Sequence, residues 1–130
     1  MISKGHVKTK MEKDWMDVVA EFADSSDFLI KKYGHKEFTW TFEIDHIIGC
    51  KAKRKINGVS VRVGELAIMP IPFNLHNVMS KDTLNRTTNP GNYRKAFGHE
   101  KQVWLEMIRA MQDEGYEIPF SESVIQSIIR

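Results

Sequence analysis

Phe38-Thr39-Trp40-Thr41-Phe42-Glu43-Ile44-Asp45-His46-Ile47-Ile48-Gly49 is the stretch on which the fold turns. Its apolar Phe38, Trp40, Phe42 and Ile44 alternate with Thr39, Thr41, Glu43 and Asp45, the period of a half-buried strand. Gly49 interrupts the pattern, so a strand is expected over Phe38–Ile47. What precedes it has the helical period instead. Met11, Trp15, Val18, Val19 and Phe22 predict an amphipathic helix from about Lys10 to Ala23. Ser25, Ser26 and Asp27 break that helix and offer caps to a short second one through Phe28, Leu29 and Tyr33, ending near Gly34.

Beyond Gly49, Asn57-Gly58 stands between Lys55-Ile56 and the alternating Val59, Val61 and Val63, a hairpin-turn signal. A second apolar run, Leu66 to Met69, is closed by Pro70 and Pro72. Residues 80–92 are polar, with Asn85, Asn89, Pro90 and Gly91 marking a loop. Val103, Trp104, Met107, Ile108 and Met111 then form one face of a helix stopped by Gly115 and Pro119. Ser121 caps a last short helix carrying Val124, Ile125, Ile128 and Ile129. Helices, strands, loop and helices in that order predict an α+β fold in one domain of 130 residues. Its parts are an N-terminal helical segment (1–35), a core (36–112) with a basic hairpin (50–63), and a C-terminal helix (113–130).

Hydrophobic residues at 42% and charged residues at 28% are ordinary for a globular protein and exclude a disordered chain. No apolar run approaches a membrane span, and no apolar core follows the basic residues of the N-terminus, so neither a membrane partner nor a leader is expected. A single cysteine, Cys50, excludes an internal disulfide and a cysteine-built zinc site, in keeping with a cytoplasmic location. The formal net charge of +2 says little, but its distribution says more. Between Gly49 and Gly64 lie Lys51, Lys53, Arg54, Lys55 and Arg62 with no acidic residue. Such a stretch is either a phosphate footprint or a solvated loop.

Two segments could carry chemistry. Asp45-His46, at the strand's end, joins a hard-cation ligand to an imidazole that can take a proton near pH 7. Side chains of neighbours on a strand diverge, so both serve one site only where the strand ends, which Gly49 allows. The other segment, Pro70-Ile71-Pro72-Phe73-Asn74-Leu75-His76-Asn77, offers His76 as a further ligand and Asn74 or Asn77 to orient a catalytic histidine. Read separately, each is also what a strand end or a turn carries for packing. Together, a histidine at a strand end, a second apolar strand and an Asn/His segment follow the ββα-metal order. His99 opens the long helix, His6 and His35 read as surface, and Trp15, Trp40, Trp104, Met69, Met107 and Met111 read as core.

These segments resemble a known family. Asp45-His46-Ile47-Ile48-Gly49 is similar to the opening motif of phage HNH (His-Me finger) nucleases that include the recombination-enhancement (Ref-like) nucleases and related prophage proteins. Leu66 through Asn77 resembles their second motif at Leu66, Pro70, Ile71 and His76, and Phe97–Gln102 with Trp104-Leu105 resembles their closing helix. The likeness spans about 65 residues, Glu43 to Ile108. It departs where the family's cysteine is Pro72, where the first histidine of its second pair is Leu75, and where a Gly-rich connection is the hairpin Lys51–Arg62. The resemblance implies a small ββα-metal core and an endonuclease cutting DNA phosphodiesters with Mg²⁺ or Mn²⁺. His46 would be the general base, Asp45 and His76 the metal ligands, Asn77 or Asn74 the residue positioning His46. Lys51, Lys53, Arg54, Lys55 and Arg62 would bind the backbone. The alternative is a catalytically inactive nucleic-acid-binding accessory protein on the same scaffold, acting in recombination, beside a recombinase filament, or against host defence. A protein-binding module fits the near-neutral charge.

Overall fold

The computed structural model describes residues 9–34, 41–49, 52–56 and 58–130. The chain is α+β, as expected. Helix α1 (Lys10–Ser25) begins with a capping box: Thr9 Oγ1 accepts from the Glu12 backbone N–H and Glu12 accepts in return from that of Thr9. It buries Trp15, Val19 and Phe22, the face its spacing predicts. Ser26 closes it, and its hydroxyl accepts from the Phe28 N–H at the start of α2 (Phe28–Tyr33). Gly34, at φ +81°, ends α2 in a conformation that favours glycine.

Strand β1 (Phe42–His46) pairs antiparallel with β4 (Ile68–Pro72), Asp45 opposite Met69. Residues 35–40, including Phe38 and Trp40, lie outside the described residues, so the expected strand is seen from Phe42. Pro70 and Pro72 do not close the second strand; they belong to it. The hydrogen bonds flanking the ladder, Ile47 N–H to Ala67 O and Phe73 N–H to Thr41 O, involve the odd-numbered residues of this segment. The nitrogens of Pro70 and Pro72 therefore face away from β1, on an edge where no donor is needed.

Between these strands lie the hairpin β2 (Lys53–Ile56) and β3 (Val59–Arg62), where the alternation predicted strand, and a helical turn, α3 (Val63–Leu66), which takes in Val63 and Leu66 from the two expected strands. Gly58 is at φ +80° beside the turn, as the hairpin signal requires; Asn57, Cys50 and Lys51 lie outside the described residues. A second turn, α4 (Phe73–His76), follows β4 directly.

The polar stretch is not loop throughout. Pro90 starts α5 (Pro90–Phe97), where its missing N–H costs nothing, and Gly98 ends it at φ +105°. Helices α6 (Glu100–Asp113) and α7 (Glu122–Ile129) follow, the latter capped by Ser121 as predicted. All five residues of β4 are buried, with α1, α2 and α6 packed around it. Trp15 donates its indole N–H to Leu66 O at 3.0 Å, and the Arg62 N–H donates to Glu12 at 2.7 Å, fastening α1 to the chain entering β4. Trp104, Met69, Met107 and Met111 are core, as predicted. Among the described residues no helix is long and apolar enough to cross a membrane.

Candidate functional site

Glu43 and Asp45 are two apart on β1, so their side chains leave the same face of the strand. The turn α4, immediately after the strand that pairs with β1, brings His76 between them. His76 Nδ1 lies 2.6 Å from Glu43 Oε1 and Nε2 lies 3.3 Å from Asp45 Oδ1. Two candidates thirty-one positions apart in sequence thus meet. Asn77 donates to the other Glu43 oxygen at 3.3 Å. Asp45 is buried, and Arg86 Nε donates to its Oδ2 at 2.6 Å, with Arg86 Nη2 on the same oxygen. Arg86 Nη1 reaches Glu100 at 3.7 Å, and Arg94 binds Glu100 with two nitrogens. The result is a row of alternating charge, Glu43–His76–Asp45–Arg86–Glu100–Arg94.

Each titratable member follows from its neighbours. The hydrogen bond to Asp45 raises the pKa of His76; partial burial opposes this, and Glu43 reinforces it. Burial pushes Asp45 up, but His76 and the Arg86 charge outweigh it and hold the carboxyl below its ordinary value. The hydrogen bond from His76 lowers Glu43. Burial likewise raises Glu100, and Arg94 more than reverses it. With His76 protonated, three positive and three negative groups cancel.

The loop is as tightly specified as the strand. Asn85, fully buried, donates from Nδ2 to the Asn74 and Asn77 carbonyls. The Arg86 N–H donates to Leu75 O, and the Thr87 hydroxyl to His76 O at 2.6 Å. A cleft of about 420 Å³ opens at the Glu43–His76 end of the row, lined by Glu43, Ile44, His76, Asn77, Val78 and Thr87.

Several expected residues stand elsewhere. His46 points to the other face of β1, exposed, 3.2 Å from Glu65 Oε2, because strand neighbours diverge and β1 stays regular through His46. It is not brought to the Asp45–His76 pair, so neither asparagine orients it: Asn77 binds Glu43, and Asn74 donates to Asp82 at 2.8 Å. His99 caps α6, its Nδ1 accepting from the Lys101 N–H. The basic hairpin does not project freely. Lys53 and Lys55 are exposed, but Arg54 donates to Ser127 of α7, and Arg62 is half-buried beside Glu12. Neither α7 nor α1 contributes to the His76 cluster.

Glu43, Arg86 and Glu100 were not singled out from sequence. Glu43 carried a signal, its two-residue offset from Asp45; Arg86 sits in a polar stretch without periodicity, where nothing marks it.

The donors can be tested against a hard cation. Two ligands on adjacent corners of a Mg²⁺ octahedron, each bonded at about 2.1 Å, stand roughly 3 Å apart. Asp45 Oδ1 and His76 Nε2 meet that spacing at 3.3 Å. A histidine that ligates metal usually donates its other N–H to a carboxylate, the place Glu43 takes at Nδ1. Among the described residues no group of three or more His, Cys, Asp or Glu side chains is arranged to hold a metal ion. Two protein ligands alone would leave the rest of a Mg²⁺ shell to water and substrate oxygen. Comparisons with protein-family models, curated proteins and solved structures find no match.

Proposed function

We propose that this chain is an endonuclease of the ββα-metal, HNH-like kind, hydrolysing nucleic-acid phosphodiester bonds, DNA first among them, with Mg²⁺ or Mn²⁺ held by Asp45 and His76. One observation carries the reading: Asp45 Oδ1 and His76 Nε2 stand 3.3 Å apart, with Glu43 behind Nδ1, and His76 and Glu43 line an open cleft. The cation, when bound, would polarise the phosphate and stabilise charge on the leaving oxygen. The chain's own residues prepare that chemistry. Glu43 fixes the imidazole so that Nε2 faces Asp45, and Asn77 fixes Glu43. Arg86 holds one Asp45 oxygen and leaves Oδ1 for the ligand. Arg86 and Arg94 offset two of the row's three carboxylates, so with a cation held by neutral His76 the cleft would not repel a phosphodiester as bare carboxylates do. Lys53 and Lys55, exposed on β2, remain free to bind the phosphate backbone. His46 stands with Glu65 on the other face of β1 and takes no role here.

A second reading rests on a specific observation as well. Arg86 and a protonated His76 already neutralise Asp45, so the site is satisfied without metal. An inactive nucleic-acid-binding accessory protein would look the same. Nicking of supercoiled plasmid separates the two. The enzyme reading expects nicking that needs Mg²⁺ or Mn²⁺, stops with chelator, and falls at least about 100-fold in Asp45→Asn and His76→Gln, the scale of losing a charge-stabilising group. Salt-sensitive binding without nicking selects the accessory protein.

A further inference from the structure

Among the described residues the exposed large hydrophobics are Val59, Phe73, Val78 and Met79. Three of these four fall in the seven residues 73–79 that also carry His76. Val78 lines the cleft itself, and Met79 next to it is 81% exposed. The turn carrying Val78 and Met79 is pinned by hydrogen bonds. Asn77 Oδ1 accepts from the Met79 N–H at 2.9 Å, and Asn77 O accepts from the Ser80 N–H and from buried Asn85. Asn77 Nδ2 in turn binds Glu43, the partner of His76. Met79 therefore keeps a set position relative to the cluster, with its thioether chain in solvent.

We propose that Met79, with Val78 at its base, is a wedge that enters the base stack of the nucleic-acid strand lying in the His76 cleft. The proposal rests on the nucleic-acid reading of that cleft. Phosphates give an unbranched apolar side chain nothing to bind, whereas a base step accepts one between its faces, and methionine is among the side chains used so. Unstacking a step also opens the backbone at the phosphate beside it.

The test is a duplex carrying 2-aminopurine, bound with chelator present so that nothing is cut. Wild-type protein is expected to raise the fluorescence as the analogue unstacks. Met79→Ala should lose that rise and bind roughly ten-fold more weakly, while Met79→Leu keeps both. At 81% exposure the side chain contributes little to folding, and an unchanged melting temperature confirms that the variant is intact. A full rise in Met79→Ala, or none in a wild-type protein that binds and nicks, overturns the wedge and leaves the hydrolase standing. A wild type that neither binds nor nicks removes both.

Discussion

Replacing Arg86 with methionine should destabilise the protein far more than a surface change does. Asp45 and Glu100, the two carboxylates Arg86 joins, have side chains only 8% and 3% exposed. Removing one partner of a buried pair costs about 3–5 kcal/mol, because the charge left behind keeps its desolvation penalty. Here each carboxylate retains a second cation, His76 for Asp45 and Arg94 for Glu100, which places the loss near the lower bound, about 3 kcal/mol. For a chain this size about 3–5 °C of melting temperature accompanies each kcal/mol, so a fall of roughly 10–15 °C is expected. Circular dichroism at 222 nm during heating reads it directly. Arg86→Lys, which keeps the charge but not the planar donor fork, should fall between. A melting temperature for Arg86→Met within about 2 °C of wild type would refute the reasoning, since the row of charges would then contribute nothing to holding the loop on the sheet.

Stability should also depend on pH on both sides of a maximum. In metal-free protein Asp45, Glu43 and Glu100 sit below their ordinary values of 3.8, 4.5 and 4.5, so their contribution is present above about pH 4.5 and lost as pH falls through the lowered values. His76 sits above its ordinary 6.5, so its contribution is present below that pH and lost as pH rises through the raised value. The melting temperature should peak between pH 4.5 and 6.5, and His76→Gln should abolish the alkaline decline alone; a wild-type curve still climbing above pH 7 contradicts this. Trp15→Phe leaves the Leu66 carbonyl buried without its indole donor and should cost about 1–3 kcal/mol in urea unfolding; an unchanged midpoint would show that the bond contributes nothing. Lys53→Ser with Lys55→Ser should make the plot of log K against log salt shallower by about 0.9 for each duplex phosphate no longer neutralised, and an unaltered slope would assign the hairpin to structure alone.

Elements with a strong apolar period were legible in the sequence. Trp15, Val19 and Phe22 set α1, Val103 to Met111 set α6, and Ser121 marked the start of α7. Helix α5 was not legible, because Tyr93 is its one buried residue and Pro90-Gly91 resembles a loop until the proline is recognised as a first helical position. Asp45 and His76 were legible as candidates because each ends or follows an apolar strand. Their meeting depends on β1–β4 pairing, which residue types alone do not fix. His46 was misplaced for a related reason: the dipeptide Asp45-His46 is one unit in sequence but splits across the two faces of a regular strand. Arg86 was invisible because its role depends on Asn85 anchoring a loop that has no period of its own.

The pairing of Asp45 with His76 as ligands of one cation is tested most directly by a crystal grown with Mn²⁺ and measured at the manganese absorption edge. An anomalous peak bonded to Asp45 Oδ1 and His76 Nε2, absent from the Asp45→Asn crystal, is the predicted result. Manganese at His46 and Glu65 instead, or an unoccupied Asp45–His76 pair in protein that still nicks DNA, would contradict it.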